Sequence, residues 1–153
     1  MGFRPWLVFL DTSALLAGLI SSKGAAREIL SGGEIKLFEI LVSSQVLLEA
    51  DRNIENKFPH LLNEYRAHMR ACEPTLVDDP TPTQVKVAVP FVGADDAPIL
   101  AAALNAEAEF LVTWNTRDFM TSKVPKDLSL RILNPGEFIQ EWTAFLQERS
   151  ADS

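Results

Sequence analysis

Asp11 closes the apolar run Val8-Phe9-Leu10 and is followed at once by two hydroxyl residues, Thr12 and Ser13. A continuous apolar run reads as a buried parallel strand, and in open α/β sheets ligands bind just beyond the strands' carboxyl ends. Taken alone, Asp-Thr-Ser reads as readily as an N-cap for a helix begun by Ala14-Leu15-Leu16. Three further acidic positions point past capping. Glu49 falls in the second turn of an expected helix, where an ordinary solvated glutamate paired with Arg52 is the plain alternative. Asp95-Asp96 stands before Ala97-Pro98, where one acid suffices as a cap, and Asp118 follows the short apolar run Phe110 to Thr113. Carboxylates in this number suit Mg²⁺ or Mn²⁺, hard cations that take oxygen ligands and need no histidine. Two such ions about 3.5 to 4 Å apart can serve the attacking water and the leaving oxygen of a phosphodiester.

The acids are useful together only if the fold gathers them, and the hydrophobic pattern supplies the means. Strand one passes into a helix through Ile20, interrupted at Ser21 to Gly24 and resumed from Ala25 to Leu30, with Gly32-Gly33 expected to close the unit. Phe38 to Val42 reads as a second strand, Ser43-Ser44 as the N-cap of a helix carrying Val46, Leu47, Ala50 and Ile54, and Phe58 to Cys72 as another helix. Thr75 to Val77 is a short strand and Asp78 to Pro82 a loop. From Gln84 to Val92 both a strand, by the alternation of Val85, Val87 and Val89, and a short helix remain open. A helix from Asp95-Asp96, the strand at Phe110, a last strand Leu130 to Leu133, a turn at Asn134-Pro135 and an amphipathic terminal helix complete the chain. The stripe Phe138, Ile139, Trp142, Phe145 and Leu146 suits core packing first and a homodimer contact second.

Alternating strands and helices predict an α/β fold, a three-layer α/β/α sandwich around a mostly parallel sheet. In such a sheet the strand-to-helix junctions share one edge, so Asp11, Glu49, an acid of the 95–96 pair and Asp118 can converge despite their separation in the chain.

With 153 residues and 47% apolar content the chain suits a single domain over 1–149 and a short polar tail over 150–153. The net charge of -7 argues against broad phosphate binding through clustered cations, so a nucleic-acid role needs metal ions. The single cysteine, Cys72, excludes an internal disulfide and a cysteine-based zinc site; it reads as a small core residue and fits a reducing cytoplasm. The apolar N-terminus imitates a signal peptide, but an acid within an inserted helix costs roughly 2.5 to 3.5 kcal/mol. No membrane span and no N-myristoylation signal are expected. His60 and His68 match no two-histidine ligand motif and read as surface residues. There is no G-x-S-x-G elbow, Walker A loop or G-x-G-x-x-G fingerprint. Ser13 occupies the position where a haloacid-dehalogenase-like phosphatase would carry its second acid, and Asp95-Asp96 comes too late for a response-regulator receiver.

Four pieces in order resemble a PIN domain, and in particular the VapC-like toxin ribonucleases: Leu10-Asp11-Thr12-Ser13, Ser44 to Glu49, Asp95-Asp96-Ala97-Pro98-Ile99-Leu100, and Val112 to Phe119. The resemblance runs from Val8 to about Leu146 and is poorest over Pro80 to Val92. It implies a metal-dependent endoribonuclease using Mg²⁺ or Mn²⁺, with Asp11, Glu49, Asp96 and Asp118 as catalytic, metal-binding acids. Asp96 matches better than Asp95. Asp11 and Asp96 are then the principal ligands, Glu49 a ligand or the base orienting water, and Asp118 a second-metal or water-mediated ligand. Ser13, Asn115 and Asp95 stand as supporting residues, with turn or cap formation as their alternative role. Arg52, Lys57 and Arg117 are the candidate RNA contacts, with solvated surface charge as theirs. The partners implied are RNA, a small antitoxin and a second copy of the chain. Two rivals stand beside this reading: an RNA- or protein-binding module with weak or no catalysis, and a housekeeping RNA-processing or flap nuclease.

Overall fold

A computed structural model of the chain describes residues 3–119 and 129–151, the side chain of Asp118 excepted. Strands β1 (Trp6–Leu10), β2 (Phe38–Val42), β3 (Thr75–Leu76), β4 (Phe110–Val112) and β5 (Arg131–Leu133) form one sheet in the order β3-β2-β1-β4-β5. Every pairing is parallel, so the expected mostly parallel sheet is parallel throughout. Val8, Phe9 and Leu10 are buried whichever face they point to, which is why β1 reads as a continuous apolar run.

Between β1 and β2 run α1 (Thr12–Ile20) and α2 (Ala25–Glu34); between β2 and β3 run α3 (Ser44–Lys57), a 3₁₀ turn (Pro59–Leu61) and α4 (Leu62–Cys72). Helices α5 (Pro82–Val92) and α6 (Ala97–Asn105) lead to β4, α7 (Thr116–Phe119) follows it, and α8 (Pro135–Ala151) follows β5. On one face of the sheet Trp6, Phe38 and Phe110 meet Phe138 and Trp142 of α8, with ring centroids 4.9 to 6.0 Å apart. On the other, Leu7 and Leu41 line a depression with Ala106 at the end of α6. Helices on both faces make the expected α/β/α sandwich. Core packing thus accounts for the centre of the terminal stripe.

The pair Gly32-Gly33 lies inside α2 and does not close it. A Cβ on Gly32 would come within 2.3 Å of the Phe38 ring, and one on Gly33 within 2.7 Å of Ile40 Cγ1. Each glycine costs a helix about 1 kcal/mol relative to alanine; the missing side chains let α2 approach β2. The segment expected as one helix from Phe58 to Cys72 opens instead with the 3₁₀ turn Pro59–Leu61 ahead of α4, and Phe58 stays outside both because a residue before proline avoids the α region. Phe58, preceding Pro59, takes φ -135 and ψ 50 and ends α3.

The segment left open between strand and helix is α5. Thr81 accepts from Gln84 N–H at 3.2 Å while the Gln84 side chain accepts from Thr81 N–H at 2.8 Å, a reciprocal cap followed by Pro82 in the first turn. Gly93, at φ +86, ends it, a conformation side chains resist. The expected turn at Asn134-Pro135 is likewise a helix start: Asn134 Oδ1 accepts from Glu137 N–H at 2.8 Å and Glu137 Oε1 accepts from Asn134 N–H at 2.9 Å. His60 is exposed as expected, but His68 is half-buried, its Nδ1 3.1 Å from Glu34 Oε1. Cys72 is a buried core residue whose thiol donates to Leu30 O.

The chain steps from β1 outward to β2 and β3, then returns past β1 to β4 and β5. Strand order therefore reverses between β1 and β4, and open α/β sheets bind ligands in the crevice at such a reversal.

Candidate functional site

Among the described residues the buried polar side chains are Asp11, Ser43 and Thr113. Each is the first residue beyond a strand: Asp11 after β1, Ser43 after β2, Thr113 after β4. Ser43 has a local explanation, since its hydroxyl accepts from Val46 N–H and caps α3, as expected. Asp11 and Thr113 face each other across the crevice.

Asp11 does cap α1: Oδ1 accepts from Ala14 N–H at 3.0 Å and from the Ser13 hydroxyl at 2.7 Å. Capping does not account for Oδ2, which accepts from the fully buried Thr113 hydroxyl. The Thr113 oxygen in turn accepts from Asn115 N–H at 2.9 Å, and Ser13 Oγ accepts from Trp114 N–H at 3.0 Å. Two bonds thereby clamp the segment leaving β4 onto the residues that hold Asp11. Burial raises the Asp11 pKa from its ordinary value, against the opposing pull of Thr113, Ser13 and the Ala14 N–H.

Glu49 is half-buried in the second turn of α3. Its Oε2 accepts from the Thr12 hydroxyl at 2.7 Å and its Oε1 from Gln45 Nε2 at 3.0 Å, so both carboxylate oxygens are oriented. Thr12 is Asp11's neighbour in the chain and ties α3 to the β1 exit. Arg52, three residues on, is exposed and in no ion pair among the described residues. Thr12 and Gln45, not Arg52, hold Glu49.

Asp96 stands half-buried at the cap position of α6, yet its side chain makes no cap bond. The expected side-chain cap is absent, and the Asp96 backbone has helical angles, φ -96 and ψ -11, in place of the extended ones of a capping residue. Asp95 is exposed in the preceding turn, and Asn115, Lys57 and Arg117 are exposed too. The Asp118 backbone belongs to α7, but its side chain lies outside the described residues. Among the described residues no three Asp, Glu, His or Cys side chains group to hold a metal ion. The donor chemistry nonetheless fits Mg²⁺ or Mn²⁺: the acids offer oxygen alone, and a cation would stabilise the charged form that burial disfavours in Asp11. Thr12, Gln45 and Thr113 were not singled out as site residues in the sequence.

An all-parallel sheet with a buried, hydrogen-bonded carboxylate at its point of strand reversal defines a class of α/β proteins with a ligand crevice at the strand ends. A family model described as PIN domain matches residues 7–117. The chain belongs to the PIN domain family, whose members are typically nucleases. The fold is shared with PAE2754 from Pyrobaculum aerophilum, at a TM-score of 0.64 and 15% identity over 94% of this chain and 99% of that one. FitAcB from Neisseria gonorrhoeae superposes at a TM-score of 0.58 and 14% identity, covering 84% of this chain and 98% of its own. No curated protein sequence matches.

Proposed function

We propose that this chain is a metal-dependent endoribonuclease whose acidic constellation is Asp11, Glu49, Asp96 and Asp118, and that it acts as the toxin of a toxin–antitoxin pair. The observation that carries the nuclease reading is Asp11 itself: a carboxylate buried at the strand-reversal crevice and held by Thr113 and Ser13. Holding a charge there costs stability that capping alone does not require.

Asp11 and Asp96 would be the principal ligands of Mg²⁺ or Mn²⁺, with Glu49 and Asp118 completing the set. Such ions supply neutralisation of developing phosphate charge and a nucleophilic water near neutral pH. The chain's own part is placement. Thr113 and Ser13 fix both oxygens of Asp11. Thr12 and Gln45 fix those of Glu49, leaving it aimed to take part in ligation or orient a water. Arg52, Lys57 and Arg117 are available on the surface for the RNA backbone. With water as the nucleophile and the 3′ oxygen as the leaving group, the products would carry 5′-phosphate and 3′-hydroxyl ends.

The resemblance to VapC-like proteins supports a small antitoxin partner and a homodimer. A short open reading frame immediately upstream that encodes a DNA-binding protein is the expected genetic setting, and its product should suppress cleavage when mixed with the chain. Incubation of the purified protein with a mixed RNA pool, in Mg²⁺, in Mn²⁺ and in chelator, tests the activity. Metal-dependent fragments are expected; a purely binding role gives none.

A further inference from the structure

We propose that Trp114 is the base-stacking residue of this site, holding an unpaired nucleobase of the RNA beside the scissile phosphate. The inference rests on the ribonuclease reading and adds to it the part of the substrate recognised.

Isolated exposed apolar residues need no explanation; Trp114 is set apart by contrast and by position. The other two tryptophans, Trp6 and Trp142, pack against each other within the aromatic cluster of the core, at 4.9 Å between centroids. Trp114 is 55% exposed and has no ring contact among the described residues. It lies between Thr113, which donates to Asp11, and Asn115, whose N–H donates to Thr113. Its own N–H donates to Ser13 Oγ, which donates to Asp11 Oδ1. The backbone of an exposed indole is therefore fixed two hydrogen bonds from the buried carboxylate. Arg117, also exposed, follows three residues on.

The charge balance favours such a platform. With 14 Lys and Arg against 21 Asp and Glu, the chain has little capacity to bind RNA through phosphates alone. Stacking on an aromatic ring requires no cation, tolerates any base and needs the base unpaired. A single-stranded substrate follows.

The test measures binding of a fluorescein-labelled, mixed-sequence single-stranded RNA, and of its duplex, by anisotropy in Ca²⁺, together with kcat and KM for cleavage in Mn²⁺. Trp114→Ala should weaken single-strand binding about tenfold, and Trp114→Phe should stay within about threefold of wild type because a ring remains. Duplex binding and the salt dependence should match wild type in both variants. In cleavage the loss should fall on KM, leaving kcat near wild type. Because the side chain is exposed, thermal melts of the variants should coincide with wild type. Trp114→Ala indistinguishable from wild type on single strands, or equal losses on single and double strands, would overturn the stacking role while the nuclease reading stands. Wild type that neither binds nor cuts single-stranded RNA overturns the ribonuclease reading and this inference with it.

Discussion

Thr113 donates its hydroxyl to Asp11 Oδ2 across the crevice between β1 and β4, joining residues 102 positions apart in the chain. Water is a poor substitute for that bond, since Thr113 is fully buried and Asp11 nearly so. Thr113→Val keeps the shape and removes both the donor to Asp11 and the acceptor of Asn115 N–H. A hydrogen bond lost to a buried charge costs about 1.5 to 3 kcal/mol. Urea unfolding should show that loss for Thr113→Val and little of it for Thr113→Ser. Partners that orient metal-binding side chains are typically worth about 10- to 100-fold in affinity or activity, and cleavage by Thr113→Val should fall in that range.

On the proposed metal-binding reading, the same burial should make the ion a stabilising ligand. In chelator the protein folds against the desolvation of Asp11, so Asp11→Asn, which can still accept from Ala14 N–H, should melt above wild type. Wild type should gain about 2.7 kcal/mol at free Mn²⁺ about 100 times its dissociation constant, and the variant should lose most of that gain. Thermal melts across a Mn²⁺ titration read both effects. Equal shifts in the two proteins would place the ion elsewhere.

Asp95 and Asp96 are neighbours with different surroundings, exposed and half-buried respectively. Asp96→Asn should reduce cleavage far more than Asp95→Asn, with both variants folded by circular dichroism. Reversed losses would move the ligand to Asp95.

At the other end of β1 and β4, Glu109 accepts from Arg4 at 2.9 Å and from Leu7 N–H at 3.0 Å. Partial burial pushes its pKa up, but the Arg4 and Leu7 donors outweigh burial and hold it below the usual range. A depressed folded-state pKa contributes stability above the unfolded value, about 4.3, that disappears as pH falls through the folded one. Wild type should therefore exceed Glu109→Gln at neutral pH in urea unfolding, and the difference should shrink on acidification through that window.

The sequence carries β1, Asp11 and the helix after them openly, because a strand buried on both faces is apolar throughout and its first polar residue stands out. It carries α5 as well, though less visibly: Val85, Val87 and Val89 suggest alternation, while Thr81 and Gln84 hold the reciprocal cap that decides for helix. Gly32-Gly33 is ambiguous in one dimension, since glycines that stop a helix and glycines that admit a neighbouring strand look alike. The roles of Thr113 and Thr12 were illegible for a different reason. Both depend on contacts between distant elements, Thr113 on the register of β1 against β4 and Thr12 on where α3 lies. A buried hydroxyl at the end of a strand is the signal that was available. The expectations on Asp118 as a ligand fall on a side chain outside the described residues.

Mapping of RNA fragment ends tests the central claim most directly. Wild type and Asp11→Asn are incubated with a mixed RNA pool in Mn²⁺ and in excess chelator, and the ends are assigned by ligation and phosphatase sensitivity. Wild type in Mn²⁺ should yield internal cuts with 5′-phosphate and 3′-hydroxyl ends, and neither the chelated sample nor Asp11→Asn should yield them. Fragments ending in 2′,3′-cyclic phosphate, or cutting that survives chelator or the loss of the Asp11 carboxylate, would contradict it.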